Sequence, residues 1–181
     1  MQKSFFIIDV ETTGIDPHFG ALLSVGVIAL DERFNVIDAM EVDINVPEST
    51  LAGLCDKFVT DMHHKSGLWE RCTESILSLD AAQLMIEEFI KSHAPKGRRY
   101  LINNSVYFDQ HWLSVHMPKV VSLLYRRLID VSTIHIMLQI FQPELAKRVE
   151  DNKTFGHTAV ADCMETLSEF RFYIKTFFKK D

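Results

Sequence analysis

Cysteine is scarce in this chain: there are three, Cys55, Cys72 and Cys163, an odd number with no C-x-x-C pair. That excludes a disulfide framework and a cysteine-based zinc site, and it fits reduced thiols in a cytoplasmic protein. Long apolar runs are missing too. No stretch approaches the ~18 residues needed to cross a bilayer, so no membrane partner is expected. Lys3 is followed only by a short apolar strand, not by the tripartite layout of a secretory leader. Positive charge is in deficit, with 19 Lys and Arg against 25 Asp and Glu and a net charge of −6. This argues against a broad electrostatic grip on duplex DNA. It leaves room for a small site that holds a short oligomer through metal ions and local bases, such as those at 96–99 and 125–127. Repeats, low-complexity tracts and linkers are absent, and 181 residues suit one domain, 1–181, with a sizeable core.

What is present is a mixed pattern of strands and helices. Residues 5–10, 22–30 and 36–46 read as three successive strands joined by short turns, an antiparallel meander. Residues 50–73 read as short helices and loops, and 81–93 carry a helical apolar stripe at Leu84, Met85, Phe89 and Ile90. A short strand at 100–102 runs into Asn103, Asn104 and Ser105, with a helix expected over 109–116 and another from Pro118. Residues 128–130 make a fifth strand, and Ser132 is expected to cap the helix that reaches Phe141. After Pro143 the stretch 147–153 is polar, and a final helix is expected over 159–178. The order β-β-β-α-β-α-β-α describes a single mixed α/β domain.

The first strand ends in two acids, Asp9 and Glu11, at alternate positions. Side chains i and i+2 of a strand share a face, so the two carboxylates stand side by side. Such a pair is electrostatically poor unless a hard cation lies between them; the bland alternative is a strand that runs out into a solvated turn, Thr12-Thr13-Gly14. Asp109 falls at the start of a helix, where an acid also serves the macrodipole. His157 and Asp162 stand five apart, so they converge only if His157 lies in the loop before the helix and Asp162 in its first or second turn. Gly156 gives that loop freedom, and Asp162 borders an otherwise apolar face. Trp69, Trp112 and Cys163 read as packing residues.

Taken together, Asp9, Glu11, Asp109, His157 and Asp162 give four carboxylates and an imidazole, an order that resembles the DEDDh 3′–5′ exonucleases of the ribonuclease H-like superfamily. Within them the chain is most similar to the oligoribonucleases, through Ser66-Gly67-Leu68 after His63, Asn104-Ser105 ahead of Asp109, and Asp130-Val131-Ser132-Thr133. The resemblance covers nearly the whole chain. It implies a ribonuclease H-like α/β fold with a mixed five-stranded sheet, in which the antiparallel meander precedes alternating helices and strands and helices flank the sheet. It also implies two divalent cations, Mg²⁺ or Mn²⁺, held by Asp9, Glu11, Asp109 and Asp162, with His157 as general base. Short single-stranded RNA would be cut from its 3′ end to 5′-mononucleotides by a homodimer.

For substrate contacts, the resemblance places Ile15 at a leucine wedge, Phe58 at a base-stacking tryptophan, and His63, Ser105 and Arg127 at a phosphate cap. Arg126, Phe108 and Ser24 depart from that family's pattern. The nearest rival reading keeps the chemistry and changes the substrate to DNA 3′ ends or tRNA tails. A binding module without activity and a scaffold with surface acids are the readings from other classes.

Overall fold

In the computed structural model, which describes residues 3–151 and 158–178, the three opening strands are β1 (Lys3–Thr12), β2 (Leu22–Leu30) and β3 (Val36–Asp43). Four helices follow, α1 (Glu48–Leu54), α2 (Lys57–Ser66), α3 (Leu68–Glu74) and α4 (Leu79–His93). The chain continues through β4 (Arg98–Asn103), α5 (Val106–His116), α6 (Pro118–Leu123) and β5 (Ile129–Asp130). It closes with α7 (Val131–Phe141), α8 (Pro143–Glu150) and α9 (Ala159–Phe177).

The strands form one mixed sheet in the order β3-β2-β1-β4-β5. The β1–β2 and β2–β3 pairs are antiparallel, and the β1–β4 and β4–β5 pairs are parallel. β1 therefore lies at the centre. Its alternation sorts the core into two layers. Phe6, Ile8 and Val10 pack with Ile86, Phe89, Trp112 and Val120 of α4, α5 and α6. Ile7 packs on the opposite face with Val131, Leu138, Cys163, Leu167 and Phe170 of α7 and α9. Asp9 and Glu11 continue the Ile7 face. A smaller cluster (Leu23, Leu51, Leu68, Trp69, Cys72) seats α1 and α3 beside the start of β2, at the end of the sheet where β1 ends. β2 is buried along its whole length, as expected of a strand flanked on both sides and covered on both faces.

One approach between elements decides where the site forms. Gly26 of β2 is paired with Asp9 on one side and with Glu41 of β3 on the other. A Cβ at Gly26 would run into the Ala159 backbone and come within 2.6 Å of the Val160 nitrogen. The first turn of α9 thus rests directly on the sheet, in a gap that only glycine leaves open.

Two expectations are corrected. The part of the polar stretch up to Glu150 belongs to α8: Pro143 occupies its first turn, where a missing N–H costs nothing, and Ala146 and Val149 face the core. The cap of α7 is Asp130, whose Oδ1 accepts the Ser132 N–H at 3.1 Å, and not Ser132. Among the described residues no helix is long and apolar enough to cross a membrane.

Candidate active site

Asp9, Glu11 and Asp162 meet at the C-terminal end of β1, each offering an oxygen within 4.8 Å of the other two. Asp162 reaches this point because α9 begins directly on Gly26. Its first turn is fixed by Thr158, whose hydroxyl accepts the Ala161 N–H at 3.3 Å and whose carbonyl accepts the Asp162 N–H at 2.9 Å. Glu41 reaches across from β3 and accepts the Val160 N–H at 2.8 Å, an acid on the positive end of the helix dipole. Arg71 of α3 braces that edge, 2.8 Å from Asp43 and 3.5 Å from Glu41.

Asp109 lies in the first turn of α5 and is buried. Its Oδ1 accepts the Val10 N–H at 3.2 Å and its Oδ2 accepts the Asn103 amide at 2.8 Å. The same amide nitrogen stands 3.2 Å from Oδ1 of Asp9. Asp109 is therefore joined to Asp9 through Asn103 and stands outside the closest cluster of the other three acids. Sequence reading did not single out Asn103, although a polar amide ending an apolar strand six residues before an acid is a usable signal.

The electrostatics are those of a site short of positive charge. Burial raises Asp9 to about 7, with Asp162 and Glu41 adding to the rise while the Asn103 hydrogen bond opposes it. Glu11 is pushed up to about 8 by burial and by Asp9, Asp162 and Glu41, with Arg71 opposing. Burial, followed by the charge of Asp9, raises Asp109 as well. Carboxylates forced together in this way gain from a cation more than from solvent, and an all-oxygen donor set suits a hard divalent ion. The residues present fit such an ion.

Two cavities flank the acids. Ile15 and Phe58, 86% and 75% exposed, line one of about 580 Å³ together with Glu11, Met62 and Phe108. Ser105 lines the other, of about 350 Å³, with Asp9, Asn103, Ser132, His135 and Asp162. Ile15 and Phe58 thus share a wall with Glu11, and Ser105 shares one with Asp9 and Asp162. Ser105 holds a left-handed backbone (φ 48°), and its N–H donates to the Ser132 hydroxyl at 2.8 Å. His63 lines neither cavity. It is buried, its Nε2 lies 2.9 Å from the Thr12 carbonyl oxygen, and burial lowers its pKa. Arg127 is exposed in the segment before β5 and also lines neither. His157 lies outside the described residues, immediately before the α9 cap.

Comparison with known proteins shows the family. A family model described as Exonuclease (RNase_T) matches residues 6–170. Similar curated proteins include the oligoribonuclease of Vibrio cholerae, 35% identical over 179 residues, 98% of this chain and 97% of that one. The oligoribonuclease of Chromobacterium violaceum is 31% identical over 173 residues, 95% of this chain and 94% of its own. Among solved structures, the zinc-bound E. coli exonuclease I–single-stranded DNA complex superposes with a TM-score of 0.78 at 15% identity, over 99% of this chain and 42% of that one. S. pombe Pop2p in its Mg²⁺- and Mn²⁺-bound form gives a TM-score of 0.67 at 12% identity, over 96% and 84%. At such low identity the two structures speak for the fold, which is the ribonuclease H-like sheet expected from the sequence. The full-length relatives carry the narrower assignment: this chain is an exonuclease-family enzyme and belongs with the oligoribonucleases.

Proposed function

We propose that the protein is a 3′–5′ exoribonuclease that uses two divalent cations, Mg²⁺ or Mn²⁺, to release 5′-mononucleotides from short single-stranded RNA. It would work as one domain, 1–181, in the cytoplasm. The observation that carries this reading is the convergence of Asp9, Glu11 and Asp162 within 4.8 Å, with Asp109 tied to Asp9. When bound, the ions supply the charge for an in-line displacement, easing deprotonation of the attacking water and neutralising the departing 3′-oxygen.

The chain's own residues do the rest. The four carboxylates fix where positive charge sits. His157, next in sequence to the α9 cap, takes the proton of the attacking water, a task that suits an imidazole near neutral pH. Phe58 stacks on a base and Ile15 wedges against its neighbour, which their exposure beside Glu11 supports. Ser105 and Arg127 hold a phosphate of the substrate. His63 serves that cap indirectly, by anchoring the end of β1 through Thr12.

A second copy of the chain is proposed to cover the exposed apolar residues Ile136, Met137, Ile140 and Phe141 of α7. Ile136 also lines the cavity that holds Asp9, so a partner seated there would stand at the rim of the site. Light scattering on the purified protein reports the mass directly, and a monomer at micromolar concentration would end the dimer reading.

The functional test is digestion of matched RNA and DNA strands, from dinucleotides to about twenty-mers, with Mn²⁺ present. Fast turnover of the shortest RNAs is expected, with loss of all metal-dependent turnover in Asp162→Ala. A rate indifferent to length, or higher on DNA, would favour the rival substrate. Equal and null turnover in the wild type and the variant would end the enzymatic reading. His157→Ala is expected to lower turnover by about 10²–10⁴-fold while Mn²⁺ uptake persists.

A further inference from the structure

We infer that Asn103 is a positioning residue of the cation site, holding Asp9 and Asp109 in the relative placement that a divalent ion requires; this rests on the metal-dependent reading above. Asn103 is 1% exposed and sits at the last position of β4, where three elements meet. Its Nδ2 faces three acceptors: Asp109 Oδ2 at 2.8 Å, the Ile8 carbonyl oxygen at 2.9 Å and Asp9 Oδ1 at 3.2 Å. Its Oδ1 accepts the Asn104 N–H at 2.9 Å and the Thr166 hydroxyl at 3.0 Å. Turning the amide over would set its oxygen against three acceptors and its NH₂ against a backbone donor, so the surroundings fix one orientation. Through Thr166 that orientation is set by α9, the helix that also delivers Asp162.

The count of hydrogens gives the device its use. An NH₂ group has two protons for three acceptors. Asp9, at the longest of the three distances, can give up its share to a cation while both amide protons stay bonded to Asp109 and Ile8. Asp109, doubly held by Asn103 and Val10, stays in place as Asp9 turns. Without the amide, Asp9 and Asp109 would lose the shared donor that lies between them and would be free to rotate apart. An ion would then have to rebuild the site before binding.

The test is Mn²⁺ binding by calorimetry on the full chain without substrate, together with melting temperatures of the metal-free proteins. Asn103→Leu keeps the bulk and removes the hydrogen bonds; its Mn²⁺ affinity is expected to fall by about ten- to a hundredfold, the range for groups that orient metal ligands. Thr166→Val, which removes the hydroxyl that orients the Asn103 amide and with it an acceptor of the Asn104 amide, is expected to shift affinity in the same direction by less. Ile102→Val trims the neighbouring core position and is expected to leave affinity unchanged. Affinity in Asn103→Leu within twofold of wild type, or an equal loss in Ile102→Val, would overturn the inference. If Asn103→Leu does not fold, an unchanged affinity in Thr166→Val overturns it instead. A wild type that takes up no Mn²⁺ refutes the metal reading itself, and the inference with it.

Discussion

Glu11 bears its charge against three neighbours of like sign, Asp9, Asp162 and Glu41, in a partly buried position. Its carboxyl and that of Asp9 titrate near 8 and 7, against ordinary values of 4.5 and 3.8. Between those limits the folded state holds protons that the unfolded chain has released. By linkage, stability then falls as pH rises through that window. The metal-free protein is therefore expected to melt at lower temperature at pH 8 than at pH 5, and saturating Mn²⁺ should flatten the decline by replacing those protons. Scanning calorimetry with and without chelator checks both slopes. On the rim, Phe58 is exposed and supports little packing, so Phe58→Ala should leave the melting temperature nearly unchanged. Loss of a stacking partner should cost kcat/KM about 1–3 kcal/mol, roughly 5- to 150-fold. Kinetics on a dinucleotide and on a longer RNA would show whether that loss is confined to short substrates.

At the scale of elements, the site is a consequence of how α9 lands on the sheet. Two rows cross the meander on one face: Asp9–Gly26–Glu41 and Glu11–Ser24–Asp43. In each row a small residue of β2 separates two acids, and the first turn of α9 fills the hollow at Gly26. Gly26→Ala forces that turn away, with a stability loss of about 1–3 kcal/mol and a weaker Mn²⁺ site. Thermal melts and calorimetric titration of this variant measure the two effects separately. The acids of β1 and the start of α9 were legible from the sequence because strand alternation and the HTAVAD spacing encode them locally. Glu41, Arg71 and Asn103 were not, since Glu41 acts on α9, Arg71 reaches β3 from α3, and Asn103 depends on the pairing of β4 with β1, all contacts that no local spacing encodes. α8 went unread for a different reason: its apolar stripe of Leu145, Ala146 and Val149 spans little more than one turn and sits among charged residues that read as a polar stretch.

For the molecule as a whole, the two main packing layers lie on either side of the sheet, and the acids stand at the end of β1, beyond the apolar positions that make those layers. Removing the ions should therefore abolish turnover and leave the fold. Far-UV circular dichroism of chelator-treated protein is expected to match the untreated spectrum, with activity returning on addition of Mn²⁺. The central place of β1 has a further consequence. β2 pairs with this strand from Phe5 to Thr12 and β4 from Lys3 to Ile7, and beyond Ile7 the Val10 N–H is held by Asp109, so these amides meet solvent only when the sheet or the Asp109 contact opens. A cation that binds the folded state alone shifts that opening equilibrium toward the closed sheet, by an amount set by its concentration relative to its dissociation constant. The deuterium uptake of residues 7–11 thus becomes a gauge of cation affinity that needs neither RNA nor turnover.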